Sequence, residues 1–442
     1  MPAAYTWSST DPSLSPAALD HPSQQYLDVD RLFELLRRFG RYGALPGGGI
    51  TRLAASEADG AARRELVELL QAAGATTGVD SVGNVHGRFE LAGPDAPWIL
   101  CGSHLDSQPG AGELDGTYGV LAGLCVAEAL MRARRAGVRF AANLCVVDWC
   151  NEEGARFRPS MLGSAVHVGK FAASEALAST DDEGVQLGDA LERIGFRGDC
   201  APPADVRAYL ELHIEQGPVL DLARERLGVV TRHWGAIKHK LVYVGAQAHT
   251  GPTPMAERRD ALLAASRVVV ALRQLADDLA GPGAPLHTSV GRLLIEPNSP
   301  NTVAARTELS VELRSPDPIT LARADAALQE IAAEAARLAQ VELLTTPAEV
   351  RPARPLSQRA TVWVRNAATR LGQHLRSMDT VAGHDALNFV GRCDVGLIFV
   401  PSIGGISHHP DETTAPADLA LGLRALADVL WTACHEPPPP LA

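Results

Sequence analysis

The spacing of apolar and polar residues divides the chain into two kinds of segment. Up to about residue 220, short and almost uninterrupted apolar runs such as WILC and LCVVD alternate with longer amphipathic stretches. Such runs are typical of central strands covered by helices on both faces. The pattern predicts helices at Asp30–Tyr42, Ser56–Ala73 and Gly116–Ala136, and strands at Trp98–Cys101, Phe140–Asp148 and Ala208–Ile214. We therefore expect an α/β domain with a mainly parallel sheet.

The pattern changes after Gln216. His239–Ala248 and Thr302–Arg314 alternate apolar and polar residues, as strands with one face in water do, and amphipathic helices are predicted at Glu257–Leu279 and Leu321–Leu338. This order favours a smaller α+β sandwich, with helices on one face of an antiparallel sheet, inserted into the larger domain. From Val341 onward short apolar strands return, in VELL and GLIFV. The predicted bounds are 1–27 for an N-terminal arm, 28–220 and 341–442 for the catalytic domain, and 221–340 for the inserted domain.

Composition and charge exclude several classes of protein. Apolar residues make up 46% of the 442 residues, which is typical of a folded globular chain and not of a disordered one. The formal charge of −12 and the lack of a Lys/Arg run argue against a nucleic-acid partner. The longest mainly apolar stretch, Tyr118–Met131, is too short to span a bilayer, so no membrane partner is expected. Because the N-terminus lacks the pattern of a signal peptide and the seven cysteines include no CxxC pair, a cytoplasmic location is expected.

Histidine and carboxylate residues follow the ends of the predicted strands, where open α/β sheets bind their ligands. In the segment GSHLDSQPGAGELDG, His104 and Asp106 come directly after the strand WILC, and Asp115 precedes the helix predicted from Gly116. Taken alone, His104 would be a hydrogen-bonded loop residue and Asp115 a helix N-cap.

Three further strand ends carry residues of the same kind. VVDWCNEEGARF contains Glu152 and Glu153, AYLELHIEQG contains His213, and GISHHPDE offers His408 or His409. Solvated glutamates or a core histidine would explain each segment alone. Together the strand ends supply three imidazoles and two carboxylates, which suit two borderline divalent cations bridged by Asp115. The predicted ligands are His104, Asp115, Glu153, His213 and His408.

Glu152 is not needed as a ligand and is predicted to be the general base. Neighbouring side chains in an extended segment point in opposite directions, so one glutamate can bind a cation while the other faces a water beside it. The cations lower the pKa of that water, and Glu152 takes its proton and passes it to the leaving nitrogen. Asp106 is predicted to accept the second N–H of His104.

Six segments, in this order, resemble those of the amidase hydantoinase/carbamoylase family, within a wider clan of dinuclear aminoacylases and carboxypeptidase-like enzymes. They are GSHLDSQPGAGELDGTYGVLAG, NEEGARF, ELHIEQGPVL, GAQAHTGPTPMAERRDAL, AGHDA and IFVPSIGGISHHPDE. The family contains N-carbamoyl-L-amino-acid hydrolases, β-ureidopropionases and allantoate amidohydrolases. The resemblance implies a metallopeptidase-like catalytic domain whose inserted domain serves as a lid and a dimerisation surface.

By that resemblance, one cation would be bound by His104, Asp115 and His213, and the other by Asp115, Glu153 and His408. Zinc is the expected metal, with manganese, cobalt or nickel as alternatives. His384 and Asp385, retained in AGHDA, are expected to orient ligands or face the substrate, and a buried hydrogen-bonded pair is the alternative.

The resemblance also implies roles in substrate binding. His249 would reach the active site of the partner subunit and stabilise the developing oxyanion, so a homodimer through the inserted domain is expected. Asn301 and Arg314 match positions that bind the substrate carboxylate, and Gln216 matches a polar position near the ureido end. A solvated strand residue is the alternative for Arg314.

The expected substrate is a small N-carbamoyl-L-amino acid or β-ureido acid, cleaved to the amino acid, ammonia and carbon dioxide. Allantoate or another ureide is the second hypothesis, and Tyr118 in DGTYG favours the carbamoylase branch. An N-acyl aminoacylase or dipeptidase is the third. A non-catalytic binding protein on the same scaffold is the fourth, but it would be expected to have lost Glu152 or several ligands.

Overall fold

The computed structural model describes residues 19–439, which form two compact units. The first unit comprises the chain up to Thr231 and from Leu356 onward, and the second is Arg232–Pro355. Residues 1–18 of the predicted N-terminal arm lie outside the described residues. No helix in the described part of the chain is long and apolar enough to cross a membrane.

Eight strands of the first unit's sheet and its connecting helices follow one another along the chain. The strands are β1 (Thr76–Val79), β2 (Val85–Phe89), β3 (Trp98–His104), β4 (Asn143–Trp149), β5 (Val206–Ile214), β6 (Gly228–His233), β15 (Arg376–Thr380) and β16 (Asp394–Val400). The helices are Pro22–Gln25, Val29–Phe39, Glu57–Ala73, Thr117–Arg135, Leu162–His167, Ala173–Ala178, Leu187–Ile194, Val219–Ala223, Gln358–Arg370, Ala386–Phe389 and Pro416–His435.

The centre of this sheet is parallel. Its strand order is β1-β2-β4-β3-β5-β16-β6, and β15 pairs with β6. The pairs β4–β3, β3–β5 and β5–β16 are parallel, while β1, β2 and β6 pair antiparallel at the sides. The carboxyl ends of four neighbouring strands therefore meet at one edge of the sheet.

Both faces of the central strands are buried, which explains their unbroken apolar sequence. In β4, Leu144 and Val146 belong to one hydrophobic cluster, whereas Val147 and Trp149 belong to another on the opposite face. The first cluster contains residues of the long helix Thr117–Arg135. The second contains rings that pack against Trp149. The predicted α/β class with a mainly parallel sheet is confirmed.

The second unit is built around an antiparallel sheet of order β12-β7-β11-β9, with β13 also paired to β7. Its strands are β7 (Gly235–Val244), β8 (Ala248–His249), β9 (His287–Glu296), β10 (Thr302–Val303), β11 (Arg306–Ser315), β12 (Glu342–Thr345), β13 (Glu349–Arg351) and β14 (Arg354–Pro355). Its α-helices are Ala261–Leu279 and Pro318–Ala339, and a short 3₁₀ turn spans Met255–Glu257. Side chains of both long helices share one core with β7 and β11, and this antiparallel α+β unit agrees with the predicted fold.

The unit boundaries lie later than the predicted 221 and 340. Ile398 and Phe399 of β16 pair with Val229 and Gly228, so the start of β6 belongs to the first unit. The run VELL forms most of β12, which pairs with β7 and therefore stays in the second unit. Strand pairing between distant segments sets these limits, and a change in residue pattern does not report it.

Candidate metal centre

The ends of the four parallel strands bring five of the predicted residues together. His104 is the last residue of β3, His213 lies in the last turn of the pleat of β5, and Glu152 and Glu153 follow β4 by a few residues. His408 lies in the loop that follows β16. All of them belong to the first unit.

The first group of donor atoms surrounds one oxygen of Asp115. The Nε2 atom of His104 lies 3.5 Å, and that of His213 3.1 Å, from Asp115 Oδ1. All three side chains are buried. Their donor atoms lie within 4.8 Å of one another, a spacing that can hold a metal ion.

The second group uses the other oxygen of Asp115. His408 Nε2 lies 3.1 Å from Asp115 Oδ2 and 3.5 Å from Glu153 Oε2. These three residues also offer donor atoms within 4.8 Å of one another. His409 instead accepts the N–H of Asp411 through Nδ1 at 3.1 Å, and its side chain is 57% exposed. Of the two neighbouring histidines, His408 is the one that faces the carboxylates.

The donor chemistry fits borderline divalent cations. Imidazole nitrogens and carboxylate oxygens are the ligands that zinc and its neighbours in the periodic table bind. Asp115 presents a separate oxygen to each group, which is the arrangement of a bridging carboxylate. The charge of these carboxylates, buried with few cationic side chains near them, is offset by a bound cation.

Main-chain carbonyls orient two of the imidazoles. The Nδ1 atom of His104 lies 2.8 Å from the carbonyl oxygen of Asp106, and that of His213 lies 2.8 Å from the carbonyl oxygen of Ile214. Because a carbonyl only accepts, each Nδ1 carries the proton and each Nε2 keeps its lone pair for a metal. The orienting role predicted for the Asp106 side chain thus falls to its main chain.

The Asp106 carboxylate holds the glutamate loop instead. Its two oxygens accept the main-chain N–H groups of Glu152 and Glu153, at 3.1 Å and 3.2 Å. This contact sets both glutamates at the same edge of the sheet as His104. Gln108 adds a further bond, since its Nε2 donates to Glu153 Oε2 at 3.0 Å.

A tight turn at Gly116 aims Asp115 at the imidazoles. Gly116 has φ +65° and ψ −50°, and the N–H of Thr117 donates to the carbonyl of Asp115 at 2.6 Å, which defines a γ-turn. A Cβ atom on Gly116 would lie 2.4 Å from the ring of His104. Only glycine provides both this backbone conformation and this close approach.

Glu152 lies beside the donor groups without belonging to either. Its Oε2 is 3.7 Å from His104 Nε2, and the residue is 7% exposed. Burial raises the pKa of Glu152 well above its usual value, and the carboxylates of Asp385, Glu153 and Asp106 raise it further against the effect of His104. A carboxyl group in this state can hold a proton near neutral pH.

The donor groups perturb one another strongly in the absence of a cation. Burial alone would raise the pKa of Asp115, but hydrogen bonds with His104, His213 and His408 hold it well below its usual value. The hydrogen bond with Asp115 raises the pKa of His408 to about 9. Strong mutual perturbation of buried groups in a cleft is typical of functional sites.

Other predicted residues of the first unit lie close by. Gln216 donates through Nε2 to Asp115 Oδ2 at 2.8 Å, so it does face the donor groups. The ring of His384 contacts that of His213 at 4.6 Å between centroids. Asp385 is buried and accepts the hydroxyl of Ser164.

The predicted residues of the second unit form a separate set. His249 is exposed and pairs across β8 and β10 with Thr302, next to Asn301. Arg314 lies on β11, where it contacts Glu312 Oε2 at 2.9 Å. His249 and Asn301 are therefore neighbours, while Arg314 lies on another strand of the same unit.

Sequence reasoning missed two buried glutamates beside the donor groups. Glu211 accepts the hydroxyl of Ser103 at 2.7 Å and the N–H of Ala386 at 2.9 Å. Its position two residues before His213 on β5 puts both on one face, and that spacing was the available signal. Glu412 accepts main-chain N–H groups nearly 300 residues away, at 114 and 115, which no local pattern reports.

Comparison with known proteins places this site in a family. Residues 100–432 match the peptidase family M20/M25/M40. An N-carbamoyl-L-amino-acid amidohydrolase of Rhizobium meliloti is 36% identical, over 93% of this chain and 96% of the relative. An allantoate amidohydrolase of Bacillus subtilis is 32% identical, over 92% and 98%. The crystal structure of an amidase of the hydantoinase/carbamoylase family from Burkholderia vietnamiensis has a TM-score of 0.89 and 38% identity, covering 93% of this chain and 98% of that one.

Proposed function

Because the chain belongs to the peptidase family M20/M25/M40 and, within it, to the hydantoinase/carbamoylase amidases, we propose that it hydrolyses an N-carbamoyl-L-amino acid or β-ureido acid. The products would be the amino acid, ammonia and carbon dioxide. The family is one of amidohydrolases that act on C–N bonds, and the choice of a carbamoyl substrate is our proposal.

One observation carries the proposal: Asp115 presents one oxygen to His104 and His213 and the other to His408, with Glu152 free of both groups. We assign two divalent cations to these groups, zinc first among them. Bound there, they would lower the pKa of a water and polarise the carbonyl of the substrate. The remaining steps use the side chains of the chain.

Glu152 supplies the proton transfers. It takes the proton of the attacking water and passes it to the nitrogen that leaves when the C–N bond breaks. Its buried position beside three other carboxylates, which raises its pKa, supports this assignment because the group must hold the proton between the two steps. Gln216, which donates to Asp115, is assigned to the ureido end of the substrate.

The second unit would supply the remaining contacts. We assign Asn301 and Arg314 to the substrate carboxylate, since a guanidinium binds a carboxylate through two parallel hydrogen bonds. His249 is assigned to the oxyanion in the active site of a partner subunit, in a homodimer formed through this unit. The exposure of His249 on β8 leaves it accessible for that contact.

Metal removal tests the chemistry. Dialysis against a chelator is expected to abolish the release of ammonia from N-carbamoyl amino acids, and zinc, manganese or cobalt is expected to restore it. Full activity in protein shown by elemental analysis to be metal-free would refute the proposal.

A substrate panel separates the candidate functions. Allantoate is the second candidate because an allantoate amidohydrolase is nearly as similar to this chain as the carbamoylase relative. Tyr118 does not decide between them, since it is fully buried and its hydroxyl donates to the carbonyl of Leu419 at 2.7 Å. Release of product should be compared for N-carbamoyl amino acids, allantoate and N-acetyl amino acids. Turnover of N-acetyl amino acids alone would point to an aminoacylase, and inactivity with metal bound would point to a binding protein.

Complementation tests the homodimer. A chain with His249→Ala mixed with a chain with Glu152→Ala is expected to regain one intact site per heterodimer, and therefore measurable hydrolysis. The absence of rescue in demonstrated heterodimers would show that His249 acts within its own subunit or not at all.

A further inference from the structure

Glu412, the last residue of the HHPDE segment, connects two loops of the candidate metal centre. It is 6% exposed. Its Oε1 accepts the main-chain N–H groups of Leu114 at 3.3 Å and Asp115 at 3.1 Å, and its Oε2 accepts the hydroxyl of Ser407 at 2.8 Å. One buried carboxylate therefore holds the turn that carries Asp115 and the residue directly before His408.

We infer that Glu412 is a positioning residue that sets the distance between Asp115 and His408, and so the geometry of the second cation group. The inference rests on the proposed function, because it takes those two residues as ligands. It assigns Glu412 no contact with substrate or metal.

Close packing makes this connection rigid. A Cβ atom on Gly112 would lie 2.4 Å from Glu412 Cβ, and one on Gly49 would lie 3.1 Å from Pro410 Cα. The backbones of the 49, 112 and 410–412 segments thus approach as closely as glycine allows. The carboxylate cannot shift by more than a fraction of an ångström without displacing one of them.

His408 depends on such support more than the other imidazole ligands do. Its side chain is 46% exposed, whereas those of His104 and His213 are 2% and 1% exposed. Packing fixes the two buried rings, and a main-chain carbonyl orients each of them. The bond from Ser407 to Glu412 links the loop of His408 to the turn of Asp115, its partner in the second group.

Asp106 uses the same arrangement on the other side of the site. There, too, one buried carboxylate accepts two successive main-chain N–H groups, those of Glu152 and Glu153. Groups that orient metal ligands in this way change metal affinity by about 10- to 100-fold when they are removed. Glu412 differs from Asp106 because it connects two ligand loops, and its loss should therefore act on one cation more than on the other.

The test compares cation binding in the wild-type protein and in Glu412→Ala. Competition with a chromophoric chelator, using zinc alone, is expected to show one cation bound with unchanged affinity and the other about 10- to 100-fold more weakly. In metal-free protein, hydrogen exchange of the Leu114 and Asp115 amides is expected to accelerate. Neither measurement depends on turnover.

Asp181→Ala is the matched control. The Asp181 side chain is 8% exposed and its carboxylate also accepts two main-chain N–H groups, those of Glu183 at 3.0 Å and Val185 at 2.9 Å. It contacts Arg156 and none of the proposed ligands. The control variant should lose thermal stability and keep the affinity for both cations.

Ser407→Ala covers the case in which Glu412→Ala fails to fold. It removes one bond of the connection and leaves no buried charge unpaired, so a few-fold loss of the weaker cation is expected. Folded variants that bind both cations as the wild type does would overturn the inference while leaving the proposed function intact. A wild-type protein that binds no divalent cation would overturn both.

Discussion

Replacing Gly116 with alanine is expected to impair the site through two separate effects. Gly116 has φ +65°, and holding an L-residue in this strained turn costs about 1–3 kcal/mol. The new Cβ atom would also lie 2.4 Å from His104, and ordinary contacts begin at 3.4 Å, so the ring must retreat by about 1 Å. A displacement of that size costs about 100-fold in rate. We expect weaker cation binding together with this loss of activity.

Gly110→Ala separates the two effects. Gly110 lies in the same loop at φ +63°, but a Cβ atom there would meet nothing within 4 Å. Both variants should lose stability in urea titrations, and Gly116→Ala alone should lose cation affinity and hydrolysis of N-carbamoyl amino acids. Equal activity in the two variants would refute the reasoning, because it would show that contact with His104 is not what requires glycine.

Three other predictions follow from buried groups. Glu152→Gln should lower kcat by about 10²- to 10⁴-fold and leave cation affinity unchanged, since Glu152 belongs to neither donor group; an equal loss of both would identify it as a ligand instead. Arg63→Ala should lower the free energy of unfolding by about 3–5 kcal/mol, because Arg63 contacts Asp59 at 2.8 Å and Asp148 at 3.2 Å with every side chain fully buried, and a loss below about 1 kcal/mol in urea titrations would contradict this. Burial, followed by the effect of a neighbouring histidine, lowers the pKa of His167 from 6.5 to about 4. The unfolded chain therefore takes up the proton first as pH falls, and about 3 kcal/mol of stability is lost between pH 6.5 and 4. His167→Phe should remove that part of the loss, and unchanged acid sensitivity in the variant would contradict the assignment.

The residue pattern was sufficient for the fold class and for the strand ends that carry the chemistry. The apolar runs that become β3 and β4 report burial on both faces, and that burial depends only on the local composition of each run. His104, Glu153 and His213 could be predicted from their positions after or at the end of strands, because parallel strands bring those ends to one edge.

Contacts between distant loops could not be read in the same way. The choice of His408 over His409 depends on a residue at φ +54° that turns one ring toward Asp115 and leaves the other in solvent. The bonds from Glu412 to the main chain at 114 and 115 span nearly 300 residues. Local periodicity reports which face of an element is buried, whereas hydrogen bonds between loops exist only after packing has set the distances, and those distances establish how Asp115 and its neighbours are arranged.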